Sequence, residues 1–143
     1  LKNEKDTIKV KTMNIDIYGV LTSNPSAFWS YSEKAFLDYI NADTDNFKIT
    51  AIHEPIIFEE FNPEFWGDLM LAGHTHGGVM RIPVLGPLYT KEGGLFPERS
   101  GHFVYGRYDT AGKPLIVSAG LENNNVFRIN NQPELVVIDV NKF

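Results

Sequence analysis

Two histidines one residue apart, His74 and His76, sit in the run DLMLAGHTHGG, Asp68 to Gly78. An apolar stretch, Leu69–Ala72, leads into Gly73, and Gly77 and Gly78 follow the second histidine. In an extended segment, residues two apart point the same way, so the spacing predicts that His74 and His76 face one common point at the exit of a strand. Flanking glycines leave room for a ligand close to the backbone. Neutral imidazole is the commonest protein ligand for transition metals, so the chemistry expected here is metal-dependent hydrolysis. His53 ends another apolar stretch, Phe47–His53, and ligands in open sheets gather at the carboxyl ends of strands, so it joins the pair as a third candidate ligand. With no cysteine in the chain, thiolate sites and disulfides are excluded.

The remaining polar candidates are weaker. Glu54, beside His53, could orient a metal ligand. Arg128 reads either as a substrate-phosphate contact or as a loop anchor. Asn123–Asn125 reads as a polar loop, Asp68 as a turn residue, and His102 as a surface strand residue. Tyr89, Leu95 and Phe96 are expected to pack a long loop onto the sheet, or else to line a pocket.

Elements that must position these groups follow from periodicity. Strands are expected at Thr7–Lys11 and Asn14–Leu21, hairpinned around Thr12–Asn14, and at Phe47–His53, Asp68–Gly73, Gly101–Tyr108, Leu115–Ala119 and Glu134–Val140. Val79–Ile82 extends the fourth strand or begins another. Ser30 and Glu33 have capping-box spacing, which predicts a helix with Ala35, Phe36, Tyr39 and Ile40 on its apolar face. Ile56–Phe61 is a short helix after Pro55. Thr22–Phe28, Pro83–Ser100 and Gly120–Gln132 read as loops, the second long enough to cover a site.

The chain has 143 residues, enough for one domain or part of a larger one. Its hydrophobic fraction of 43% and aromatic fraction of 13% fit a globular core. A net charge of -5 argues against a nucleic-acid partner, which favours a basic face. No run of 18 apolar residues is present to span a membrane. The first residue is Leu1 and the first methionine is Met13, so the native protein is expected to extend upstream.

Together AIHEP (Ala51–Pro55), DLMLAGHTHGG, GPLYTKEGGLFP (Gly86–Pro97), IVSAGL (Ile116–Leu121) and RINNQPEL (Arg128–Leu135) resemble the C-terminal half of a calcineurin-like metallophosphoesterase, of the bacterial YkuE/YaeI-like phosphohydrolase kind. The resemblance covers most of Ile49–Val140, and residues 1–143 would then be the C-terminal part of that domain. It implies a strand-rich α/β fold, half of a two-sheet sandwich with flanking helices. It also implies a metal-dependent phosphoester hydrolase with two divalent ions (Mn, Fe, Zn or Co), His53 and His74 on one and His76 on the other. A phosphoester small molecule or lipid headgroup would be the substrate. The family's Asp-x-His, Gly-Asp-x-x-Asp and Gly-Asn-His blocks do not occur in this chain. The chain alone is therefore expected to be inactive, and to pack against the missing N-terminal half or a second copy. The expected location is the cytoplasm, or a membrane reached through an upstream segment. Val79 stands where relatives usually carry Gln. The alternative reading is a noncatalytic module that folds alone and binds a metal or a partner.

Overall fold

A computed structural model of the chain describes residues 4–20, 34–60, 66–121 and 127–141. The capping-box pair Ser30 and Glu33, the loop Thr22–Phe28 and Asn123–Asn125 lie outside the described residues.

The site is carried by a six-stranded mixed sheet in the order β1-β2-β3-β4-β10-β9. Its strands are β1 (Glu4–Val10), β2 (Met13–Val20), β3 (Phe47–Ile52), β4 (Leu69–Ala72), β9 (Gly106–Thr110) and β10 (Lys113–Val117). The β1–β2 hairpin turns at Lys11 and Thr12, with Val10 opposite Met13, slightly earlier than the expected turn. The charges of β1 suit an edge strand, where they discourage pairing with another chain. From β2 through β3 and β4 to β10 the strands run parallel, and β9 closes the other edge antiparallel.

Register places Tyr18, Thr50, Met70, Leu115 and Tyr108 in one row across the sheet. Residues 34–40 form helix α1, and α2 is Ile56–Glu60. Both cover this face. Phe36 and Tyr39 of α1 meet Tyr18 at ring-centroid distances of 5.5 and 5.1 Å, and Trp66 packs between Phe36 and Phe58 at 5.0 and 4.9 Å. Such aromatic contacts add to the apolar burial that holds a helix on a sheet. The buried Thr50 hydroxyl donates to the Trp66 carbonyl at 2.6 Å, which fastens the approach to β4. Asp68 is the turn residue expected. Its carboxylate accepts from the Lys48 amide at 2.8 Å and its own amide donates to the Lys48 carbonyl at 2.8 Å.

The stretch expected as one loop, Pro83–Ser100, contains small antiparallel ribbons. β5 (Arg81–Ile82) pairs with β6 (Gly86–Pro87), β7 (Tyr89–Thr90) pairs with β8 (Gly94–Leu95), and a 3-10 turn follows at Pro97–Ser100. Tyr89 and Leu95 do not pack onto the sheet: they are exposed, and Phe96 lies under the Arg99 guanidinium instead. A two-residue ribbon is too short to bury both faces.

Two expected strands differ. Residues 101–105 are not paired, and the strand begins at Gly106, because the Val104 and Tyr105 amides are taken by the Tyr108 hydroxyl at 2.9 and 3.1 Å. Glu134–Val140 joins no ladder despite its alternating pattern. Leu135 and Val137 are exposed, and among the described residues these strand-forming residue types have no partner strand. The chain is a strand-rich α/β fold, and among the described residues no helix is long and apolar enough to cross a membrane.

Candidate metal centre

Parallel pairing of β3 with β4 brings their carboxyl ends side by side. The ladder continues one step past both strands, where the Gly73 amide donates to the His53 carbonyl at 3.1 Å. On the other flank the Ser118 amide donates to the Ala72 carbonyl at 2.9 Å. Main-chain bonds therefore fix the points from which His53 and His74 project. His53 Nε2 lies 2.9 Å from His74 Nδ1, with the rings edge to face at 67°.

Two carboxylates approach the other nitrogen of His74. Glu92 Oε1 lies 3.4 Å from His74 Nε2, and Glu54 Oε1 lies 3.7 Å from it. His53, Glu54 and His74 each offer one donor atom, all within 4.8 Å of one another. Donors on one ion at bond lengths near 2.0–2.2 Å lie at most about 4.4 Å apart, so small side-chain movements would let this group hold a single divalent cation. Imidazole and carboxylate together suit zinc, manganese or iron. Glu54, expected beside His53, also reaches His74.

The expectation that His74 and His76 share a strand face is corrected by the backbone. The strand ends at Ala72, and His74 and His76 both adopt positive φ, 65° and 50°. Between them Thr75 is helical, with φ -65° and ψ -14°. The chain coils here because the Thr75 hydroxyl is tied to the Val104 carbonyl at 2.6 Å and the Gly78 amide bonds back to the Thr75 carbonyl at 2.8 Å. His76 accordingly stands outside the His53–Glu54–His74 group. Its carbonyl accepts from Asn131 Nδ2 at 2.5 Å, and its Nδ1 lies 3.4 Å from an Arg128 nitrogen. The same Arg128 nitrogen donates to the Ala119 carbonyl at 2.8 Å, the geometry of a loop anchor.

His102 is not in a strand. It is half-buried, with Nδ1 2.8 Å from Glu59 Oε2, while Glu59 Oε1 accepts from the Phe103 amide at 2.6 Å. Glu59, His102, Glu54 and His74 line one narrow cleft, together with Thr90, Glu92 and Gly93. Glu59 and Glu92 are the groups that sequence reasoning missed. They lie 43 and 18 residues from the histidines they touch, beyond any local periodicity.

The group can hold a divalent cation, and comparison with known proteins places the chain beside the following relatives. The chain is 28% identical over 93 residues to phosphodiesterase YaeI of Escherichia coli (strain K12), covering 65% of this chain and 32% of that protein. It is 30% identical over 92 residues to the uncharacterized metallophosphoesterase YkuE of Bacillus subtilis (strain 168), covering 64% of this chain and 30% of the relative. It is 31% identical over 84 residues to the uncharacterized protein YpbG of the same species, covering 59% and 32%. The resemblance to YkuE/YaeI-like phosphohydrolases read from the motifs is thus borne out. The chain spans about a third of the length of these curated relatives. No protein-family model matches the chain, and no solved structure matches it significantly.

Proposed function

We propose that this chain carries part of the active site of a calcineurin-like, metal-dependent phosphoester hydrolase, with His53 and His74 holding a divalent cation. The observation that carries the reading is the 2.9 Å approach of His53 Nε2 to His74 Nδ1 at adjacent strand ends, with Glu54 in reach. A bound divalent ion would activate a water and neutralise charge on phosphoryl oxygens. His53 and His74 supply two nitrogens from backbone positions already locked by the sheet. Glu54 supplies an oxygen to the same ion or to His74. By the family resemblance, His76 serves a second ion, and its displacement from the first group is compatible with a dinuclear arrangement.

Two ions need more donors than three histidines and a glutamate. The acidic blocks of the family do not occur in residues 1–143, so the remaining donors come from outside these residues, in the same protein or in another chain. The substrate is a phosphoester, with a small molecule or a lipid headgroup as its source.

The test is equilibrium binding of Mn(II) to the protein and to His53→Ala and His74→Ala. Each substitution is expected to lower affinity at least tenfold, and unchanged affinity in both would overturn the assignment. Residues 1–143 alone are expected to leave a chromogenic phosphodiester intact with excess Mn(II). Turnover by this chain that His74→Ala abolishes would refute the need for outside donors.

A further inference from the structure

We propose that Glu92, at the tip of the β7–β8 hairpin, is a positioning residue that fixes the tautomer of His74 so that its Nδ1 faces the cation. The affinity part of this inference rests on the metal reading above; the tautomer part does not. His74 is contacted on both ring nitrogens, by His53 at Nδ1 and by carboxylates at Nε2. A neutral imidazole carries one hydrogen, and an ionised carboxylate can only accept. The hydrogen of His74 therefore sits on Nε2, where Glu92 at 3.4 Å is the closer acceptor and Glu54 at 3.7 Å the farther. That leaves the Nδ1 lone pair directed at His53 Nε2. In the metal-free chain the His53 Nε2–H donates to it. For both nitrogens to hold a cation, the His53 hydrogen would sit on His53 Nδ1 instead, which frees both lone pairs with no net change in protons. Two nitrogens adjacent on one ion lie about 2.9–3.5 Å apart, and these are already 2.9 Å apart. A carboxylate on the distal nitrogen of a ligating histidine fixes its ring and raises its basicity.

The placement of Glu92 is built into the hairpin. The Gly93 amide donates to the Thr90 hydroxyl at 3.0 Å, and a Cβ at Gly93 would come within 2.5 Å of Pro97 Cβ and 2.8 Å of His102 Cδ2. The tip is seated against the body of the chain, with no room for a side chain beneath it. Gly93→Ala should therefore lift Glu92 off His74 without changing any charge.

Two measurements test this on the same protein. Nitrogen NMR of the His74 ring reads the tautomer without any substitution, and an Nε2–H form is expected. Calorimetric titration with Zn(II) reads affinity, and loss of such a carboxylate costs about 10–100-fold. Glu92→Ala and Gly93→Ala should both fall in that range and mix the tautomers of His74, while Glu92→Asp should recover part of the loss. A wild-type His74 with its hydrogen on Nδ1, or Zn(II) affinity in Glu92→Ala within twofold of wild type, would overturn the proposal. If the wild-type protein binds no Zn(II), the metal reading fails, and the NMR result alone decides on Glu92.

Discussion

Replacing Gly78 by alanine tests why the motif ends in two glycines. Gly78 has φ +78°, and a Cβ there would overlap Cβ of Pro87 and lie 3.4 Å from Val104 Cγ1. Pro87 is buried and its ring cannot swing aside. Gly94 is the control: it has φ +65°, but a methyl group added there would meet nothing within 4 Å. An alanine at left-handed φ costs about 1–2 kcal/mol, and the stiffer unfolded chain returns about 0.4–1 kcal/mol. Gly94→Ala should therefore destabilise by roughly 0.5–1 kcal/mol. Gly78→Ala adds overpacking, typically about 1–3 kcal/mol, for a total of roughly 1.5–4 kcal/mol. Urea denaturation followed by fluorescence reads both variants, and a lower midpoint at unchanged slope reports stability alone. Gly78→Ala and Gly94→Ala within about 0.5 kcal/mol of each other, the usual range for a surface change, would refute the steric reasoning.

Asp16 is fully buried. Burial raises its pKa, but hydrogen bonds from Thr7 at 2.6 Å and Asn46 at 3.2 Å, with Lys5 nearby, outweigh that and hold it below the ordinary carboxylate value. A depressed folded pKa contributes stability above the unfolded value of about 3.9, and that contribution is lost as pH falls through the folded value. The stability gap between wild type and Asp16→Asn, about 2 kcal/mol at pH 7 from the charged hydrogen bonds, should therefore shrink between pH 5 and pH 3 in urea melts; a constant gap contradicts it. Glu59→Ala should leave the Phe103 amide without its acceptor, costing about 1–3 kcal/mol, and hydrogen exchange at that amide should speed up. Because Val104 holds Thr75, the same variant should also weaken Mn(II) binding; unchanged exchange at Phe103 would show that Glu59 does not anchor this stretch.

The parallel core strands were legible because their apolar runs are continuous and bounded by turn residues, as for Phe47–Ile52 and Leu69–Ala72. His53 at a strand end followed from the same pattern. What failed was inference past the last ladder bond. Once Gly73 leaves the sheet, tertiary ties such as Thr75 to Val104 decide the path, and alternation no longer applies to His74 and His76. Glu134–Val140 shows the reverse error: its alternation is real, but a strand needs an available edge as well as suitable residues. His102 read as a surface residue because its partner, Glu59, lies on a helix far away in sequence.

The hydrogen bond from Gly73 to the His53 carbonyl has a thermodynamic consequence. It aligns His53 with His74, 21 positions further along the chain, so the donor pair exists only when the sheet has closed. A cation that binds the pair is then a ligand of the native state alone. At a free concentration one hundred times its dissociation constant it would stabilise the fold by about 2.7 kcal/mol. With a cation bound there, the melting temperature would report occupancy.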